Sequence, residues 1–581
     1  MFLIDDFIQA WRGLRHSPTF LALASTVLAL GLGATIFMYG VINTTVLKPP
    51  PFPNGDRLYS VFSAEPARGI QYGTLSYVDY ADLKEQQRTF DDMAGHFSGT
   101  INLASDDLPE RYTGGMVTWN FNRVLGVKPL LGRDFAREDD LPNAGPVAIL
   151  SYDLWKSRFN ESPRVIGRVV RINAQPTTII GVMPRGVAYP SNEALWIPMA
   201  RDVINQHRGD RSVEGSIGVM AIGKLAPGVT RQQASEDMSA IFGRLAKLYP
   251  RTNAGTTTNV VPAAAAVIGD GNGIMYALFA AVWLVLLIAC ANVASLIFVR
   301  ANFRVYEAGM RVALGARRPR LVMQMLAESI IVSVIGVAGG LVLAALGLHL
   351  MDLGMKSLVE VDTPIWWRFN IDLRVAGFAV GAALLSALLS GIVPALRASR
   401  PDVMRILRDG GRTGTGMRLS KFTTAMVIVE VALSAALLTG AGLMTRASVL
   451  SLQRDYGVDV SSFMSARVGL PLAKYPPAEQ AQFFERSVAE LRARPGVLAA
   501  VAATSMPGTG AEDWRFAIDG KTYDTRADYP VAKTVTVTAG AFDAFQRPLR
   551  QGRDFNSGDR MDSPGVAVVN ESFVRKFMAG Q

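Results

Sequence analysis

Residues 274–320 read IMYALFAAVWLVLLIACANVASLIFVRANFRVYEAGMRVALGARRPR, two unlike stretches joined without a break. The first, 274–299, carries no charge and exceeds the roughly 20 residues needed to cross a bilayer core. The second, 300–320, holds six arginines and one glutamate, a formal +5. Four more apolar runs resemble the first: Phe20 to Val46, Leu321 to Leu350, Val375 to Leu396 and Phe422 to Met444. A chain of 581 residues that is 49% apolar is expected to be an α-helical bundle of five spans with α+β domains outside the membrane. Glu328 near the start of the third span and Glu430 within the fifth interrupt otherwise apolar runs.

Charge sets the expected orientation, because short cytoplasmic loops collect Lys and Arg. Residues 397–421 repeat the +5 of the first loop, with six Arg, one Lys and two Asp. Between them, residues 351–373 carry Asp352, Glu360, Asp362 and Asp372 against Lys356 and Arg368. Basic, acidic, basic predicts inside, outside, inside. The N-terminus is then cytoplasmic, in agreement with Arg12 and Arg15 ahead of the first span. That span is too long for a cleaved signal peptide and reads as an uncleaved anchor. The two loops account for the whole net charge of +10. A nucleic-acid binder would instead carry a basic face on a folded domain, so no nucleic acid is expected.

Chemistry-bearing motifs are sparse. Cys290 is the single cysteine, which excludes an intrachain disulfide and multi-cysteine metal sites. His16, His96, His207 and His349 lie far apart and read as surface or interfacial residues. The "GKT" at Gly520–Thr522 lacks the glycine five positions earlier, where Arg515 stands, and reads as a hairpin turn. The "GTG" runs at 414–416 and 508–510 lack the strand-to-helix setting of a dinucleotide site. Carboxylates such as Asp106, Asp107, Asp139 and Asp140 form no acid/base pair and read as solvated turns. No catalytic residue, cofactor or metal is expected. Intramembrane polar groups are costly, so Asn292, Glu328 and Glu430 are candidates for helix contacts or a functional pathway. For Asn292, an interhelical hydrogen bond beside Ala291, Ala294 and Ser295 is the favoured reading; for Glu430, a protonated carboxyl, a partner-helix contact and a proton or substrate role stay open. Gly377 and Gly381 suggest a helix-pairing face in the fourth span.

Outside the membrane, "RVVRINAQPTTIIGVMP" predicts a hairpin turning at Asn173 to Pro176. "TRQQASEDMSAIFGRLAKLYP" predicts a helix with a Thr230/Gln233 capping box and a buried face of Ala234, Met238, Ile241, Phe242 and Leu245. "GDGNG" at 269–273 reads as a flexible joint. Residues 128–159 and 547–577 form an internal repeat: Gly-Arg-Asp-Phe, an acidic turn, an apolar strand and a helix ending in Phe. Each copy follows an anchoring span. The second stops at Gln581 without a hairpin, closing helix or further spans, so the native chain is expected to continue or to be supplied with them.

The string 284–331, LVLLIACANVASLIFVRANFRVYEAGMRVALGARRPRLVMQMLAESII, resembles the permease core of MacB/FtsX-type ABC transporter subunits. The family's E-x-x-x-R-x-A-L-G-A falls on Glu307, Arg311, Ala313, Leu314, Gly315 and Ala316. Where the family usually has Glu-Ile-Gly-Ile-Arg, this chain keeps Gly309 but has Ala308 in place of the first isoleucine. "VIGRVVRINAQPTTIIGVMP" and "LWIPM" resemble the MacB-type periplasmic core domain, and the first span resembles the anchor of an acidobacterial-type subfamily in which two permease units are fused. The resemblance implies a bacterial inner-membrane permease, itself no enzyme, with a separate ABC ATPase, a possible periplasmic adaptor and a possible dimer of permease units.

With the apolar runs as boundaries, the order of domains is a cytoplasmic N-terminus (1–19), an anchor (20–46), a MacB-like core domain (47–273) and a three-span permease core (274–396). A basic linker (397–421), a second anchor (422–444) and an incomplete second external domain (445–581) follow. Residues 304–318 are expected to form a coupling helix for the ATPase. On a helical wheel Tyr306, Met310 and Ala313 share one side with Leu314 at its border, and Arg304, Glu307, Arg311 and Arg318 fall on another.

Overall fold

The computed structural model describes residues 2–104, 110–190, 192–199, 218–269, 271–303, 318–358, 364, 366–398, 421–453, 463–470, 474–506, 511–525, 528–560 and 562–578. The chain divides into two compact units, 1–48 with 270–363 and 367–452, and 49–269 with 364–366 and 453–581.

The first unit is helical: α1 (Phe2–Arg15), α2 (Pro18–Ile42), α9 (Gly271–Phe303), α10 (Arg318–Leu358), α11 (Leu373–Ala398) and α12 (Lys421–Leu452). Five stretches are long and apolar enough to cross a membrane: Pro18–Leu47, Gly271–Arg300, Val322–Met355, Leu373–Ile392 and Val427–Leu450. These are the five spans that the apolar runs predicted. α9 is already helical at Gly271, so the end of "GDGNG" is its first turn and not a joint.

Inside this unit, Ala24, Leu28, Leu32 and Ile36 repeat every four residues along α2 and meet Leu286, Cys290, Val293 and Ile297 of α9 and Val332 of α10. Glycines let α2 and α10 approach closely. A Cβ on Gly336 would lie 2.8 Å from the Cβ of Leu28, and one on Gly340 3.0 Å from the amide nitrogen of Gly33. At Gly377 and Gly381, where the sequence suggested a pairing face, a Cβ meets nothing within 4 Å among the described residues. Between bilayer helices close backbone approach drives association, so the glycines that matter are those at a contact. Two buried hydroxyls bond within their own helices: Thr35 donates to the Gly31 carbonyl and Ser386 to that of Ala382.

The second unit is α+β. Its strands are β1 (Leu58–Glu65), β2 (Ile70–Gly73), β3 (Phe90–Ala104), β4 (Glu110–Val117), β5 (Leu131–Gly132), β6 (Val147–Leu150), β7 (Val169–Ile172), β8 (Gln175–Val182), β9 (Leu195–Pro198), β10 (Met220–Leu225) and β11 (Thr257–Pro262). They form one sheet in the order β11-β1-β10-β3-β4-β9-β6-β8-β5, with β2 on β1 and β7 on β3 and β8. Helices α3 (Tyr77–Gln86), α4 (Phe121–Leu125), α5 (Tyr152–Phe159), α6 (Arg231–Leu248), α7 (Pro250–Asn253) and α8 (Ala263–Ala266) complete it. The expected hairpin is β7–β8, turning on Asn173 and Ala174, both at positive φ as a tight two-residue turn requires. Pro176 lies inside β8 instead of in the turn. α6 has its Thr230/Gln233 capping box, and all five residues of the expected face are buried.

Two expectations fail here. His96 is no surface residue: it is buried on β3 between the rings of Phe121 and Tyr189, and burial pushes its imidazole down to about 3. Asp139 and Asp140 are not solvated. Asp139 accepts two bonds from Arg133 and one from the Ala136 amide, and Asp140 accepts from the Trp119 amide. Asp106 and Asp107 lie outside the described residues.

Residues 474–578 contribute α13 (Pro477–Arg492), the ribbon β12 (Glu512–Arg515) and β13 (Val531–Thr534), α14 (Ala541–Ala544) and α15 (Glu571–Phe577). The "GKT" lies in the connection between β12 and β13, with Gly520 at φ 75°. The two Gly-Arg-Asp-Phe segments adopt the same hydrogen-bonded turn. Arg133 grips Asp139 at 2.5 and 3.0 Å, and Arg553 grips Asp559 at 2.7 and 2.7 Å. In each, the aspartate after the arginine accepts from the following phenylalanine amide. Each apolar run then ends in an N-cap, Ser151 for α5 and Asn570 for α15.

Candidate functional site

The expected coupling residues Arg304, Glu307, Met310, Arg311, Ala313, Leu314, Gly315 and Ala316 lie outside the described residues. Arg318 is the first residue of α10. The two helices that flank this segment, α9 and α10, are described, and an ion pair joins the last turn of α9 to Glu328 within α10.

Arg300, in the last turn of α9, is the tie. Its Nη1 lies 3.6 Å from Oε2 of Glu328 on α10, with the two side chains 12% and 11% exposed. Its Nη2 donates to the Gly13 carbonyl near the end of α1 at 2.7 Å, where the last carbonyls of a helix lack partners within it. Its guanidinium also stacks over the Phe20 ring of α2, 4.7 Å from the centroid. One cation therefore joins four helices just before the segment that separates α9 from α10. Glu328 is accordingly an ion-pair partner at the bundle's base. Removing either member would strand a desolvated charge, a change that typically costs about 3–5 kcal/mol for buried pairs.

Sequence reasoning counted Arg300 as one of six loop arginines and so missed this role. A usable signal existed: an arginine ending one apolar run and a glutamate opening the next. The other two intramembrane polar residues are not brought to it. Asn292 is half-buried on α9, and Glu430 is half-buried on α12.

At the opposite end of the unit, Asp372 caps α11 by accepting from the Val375 amide at 3.0 Å. It also accepts from Asn43 at 3.1 Å and faces Lys48 at 3.7 Å. Burial alone would raise this carboxyl; the Val375 amide, Asn43 and Lys48 outweigh it and hold it below the usual carboxylate range. Among the described residues no cluster of His, Cys, Asp or Glu could hold a metal ion.

Residues 21–241 match the family described as MacB-like periplasmic core domain, and residues 279–403 match that described as FtsX-like permease C-terminal. This chain is a permease of the MacB/FtsX type. Relatives of the MacB/FtsX-type chain include "Macrolide export ATP-binding/permease protein MacB" of Campylobacter jejuni, 27% identical over 44% of this chain and 38% of the relative. Another is the "Uncharacterized ABC transporter permease YknZ" of Bacillus subtilis, 26% identical over 50% of this chain and 68% of the relative. This chain thus spans 38% to 44% of the length of the first MacB relatives it matches. Among solved structures, the periplasmic region of MacB from Actinobacillus actinomycetemcomitans aligns with 36% of this chain and 89% of its own, at 18% identity and a TM-score of 0.28. The FtsX-like match contains Arg300, Glu328 and the segment between them. The MacB-like match begins within α2, at residue 21, and contains most of the sheet.

Proposed function

We propose that this chain is the permease subunit of an inner-membrane ABC transporter, and that a separate ATPase subunit docks on residues 304–318 and drives movement of the extracytoplasmic domain to export or extrude a substrate. The N-terminus and both basic loops face the cytoplasm in this reading, and both large domains face out. The supporting observation is the Arg300 tie. The basic segment follows the end of α9, where Arg300 contacts Glu328 of α10, Gly13 of α1 and Phe20 of α2. A push on that segment therefore reaches α2, which leads directly into the core domain. Within the segment, Met310, Ala313 and Leu314 supply an apolar stripe for a groove. Arg304, Glu307 and Arg311 fix orientation, and Gly315 and Ala316 belong to the same docking segment. A periplasmic adaptor and a second permease unit are further partners in this reading; the repeated turn at 133–139 and 553–559 supports descent from two related units.

Co-purification of the full chain with an ATPase subunit, followed by ATP turnover in liposomes, tests this. The reading expects a stable complex whose turnover responds to a transported substrate. A complex that hydrolyses ATP without moving any substrate would favour a regulator of a periplasmic enzyme. A chain that binds no ATPase would overturn the proposal in favour of a membrane-anchored sensor.

A further inference from the structure

Residues 364–366 belong to the second unit, although the chain on either side of them, up to 363 and from 367, belongs to the first. They lie in the connection between the third and fourth spans, α10 and α11. Two consecutive tryptophans therefore serve different units. Trp366 stacks on Tyr189, with ring centroids 5.6 Å apart and planes 14° from parallel, and meets Phe52 edge-on at 5.9 Å. Phe52 and Tyr189 also meet each other edge-on, at 5.8 Å. Aromatic pairs attract at such separations and angles. Trp367 instead packs with Val41 of α2, Leu348 of α10 and Phe369, all of the helical unit.

The seat of Trp366 is part of the framework of the core domain. Trp196 of β9 donates from its indole nitrogen to the Tyr189 carbonyl at 3.1 Å, and His96 of β3 lies edge-on to the Tyr189 ring at 5.5 Å. Phe52 and Tyr189 are both buried. Phe52 also stands at the end of another crossing between the units: the chain leaves the first at Lys48 and reaches Phe52 through Pro49, Pro50 and Pro51. Three fixed φ angles leave that path little slack. The crossing at Trp366 has less, since one trans peptide holds the Cα atoms of Trp366 and Trp367 about 3.8 Å apart. Beyond Trp367 the chain is held as well, by Asp372, which caps α11 and accepts from Asn43.

We propose that Trp366 is a positioning residue through which the third and fourth spans act on the core domain, beside the path through α2. A displacement of α10 or α11 passes through Trp367 and one peptide bond to a ring packed on Phe52 and Tyr189, and close-packed side chains transmit it with little compression. Phe52 brings the displacement of α2 to the same three rings, so the core domain answers to both paths together. The use of this joint in transport rests on the reading of the chain as an ATP-driven permease; the joint itself does not.

Pulsed electron–electron distance measurements on the full chain in vesicles test both parts, with Cys290→Ala removing the native thiol. Nitroxides at Leu353→Cys of α10 and Leu248→Cys of α6, both exposed positions, read movement of one unit against the other. Without any ATPase, Trp366→Ala should widen this distance distribution roughly twofold, because one of two paths is lost, and Trp366→Phe should restore it. A control pair inside the core domain, Val169→Cys with Leu248→Cys, should keep its width in both variants. With a co-purified ATPase and ATP, the distance between the two units should shift in the wild-type background and by about half as much in Trp366→Ala, while the ATPase stays bound. An unchanged width in Trp366→Ala without ATPase would overturn the proposal. Equal widening of the control pair would do the same, because Trp366 would then only fill the core. A joint that Trp366→Ala loosens, in a wild-type chain that never responds to ATPase and ATP, would uphold the joint and sink the permease reading instead.

Discussion

Residues 133–159 and 553–577 share a turn, an apolar run and a capped helix, yet their apolar runs meet opposite fates. In the first copy the run is β6, flanked by β8 in parallel and β9 antiparallel, and Leu150 is 0% exposed. In the second, Val566 and Val569 are 47% and 40% exposed, and among the described residues the run forms no strand. The turns are alike because every bond in them spans six residues or fewer, from the arginine to the aspartate that closes the loop. Burial differs because it depends on strands distant in sequence. Local hydrogen bonding and core formation are thus separable within one motif, and substitutions in the full chain should separate them.

The largest contrast lies at the motif glycines. Gly132 and Gly552 both have positive φ, at 77° and 82°. A Cβ on Gly132 would sit 2.1 Å from the Ile180 carbonyl oxygen, whereas one on Gly552 meets nothing within 4 Å. Gly132→Ala should therefore cost more than about 4 kcal/mol and open the β5–β8 edge. Gly552→Ala should cost only the left-handed backbone penalty, about 1–2 kcal/mol. Amide hydrogen exchange on each segment measures both, and equal effects would show that the surroundings of the two turns are alike after all.

Next come the apolar runs. Leu150→Ala should destabilise the first domain by about 2–5 kcal/mol, while Val569→Ala should stay within about 0.5 kcal/mol. A large loss at Val569 in segment-resolved exchange would mean that the second run is covered too.

Acid should also tell the domains apart. His96 binds a proton at about 3 when folded and near 6.5 when unfolded, so the unfolded chain holds more protons between those values. Stability of the first domain should fall by about 1.4 kcal/mol per pH unit as pH drops through that window. His96→Phe should flatten the slope, read from protease resistance at a series of pH values. No histidine occurs beyond His349, so the second domain should lack this component.

The smallest contrast is at the clamps. Asp139 and Asp559 side chains are 12% and 13% exposed and make matching bonds. Asp139→Asn should cost about 1–2 kcal/mol, and Asp559→Asn should loosen its own turn without altering exchange in the sheet. Disruption of the sheet by Asp559→Asn would break the claim that this motif is local.

The same division explains what the sequence disclosed. The spans, the α6 face at Ala234, Met238, Ile241, Phe242 and Leu245, and the β7–β8 hairpin rest on short-range periodicity and turn chemistry. The close approach at Gly336 and Gly340 was not legible, because it depends on Leu28 and Gly33 of a span some 300 residues earlier in the chain. His96 and Asp139 misled for a related reason: a polar residue's burial depends on partners the pattern does not show, the aromatic rings for one and Arg133 for the other. At the candidate site, the charge of 300–320 was legible, but the withdrawal of Arg300 into a pair with Glu328 was not. That pair forms across the loop from residues 28 positions apart.

The central claim is that residues 304–318 receive an ATPase through an apolar stripe, and Met310→Asp with Leu314→Asp tests it most directly. The pair of changes leaves the 300–320 loop positive, so the chain should insert normally. Reconstituted with its ATPase, the variant should lose ATPase recruitment and stimulation while the wild-type chain retains both. Full recruitment and stimulation by the variant would contradict the account and leave the arginines as a topological signal alone.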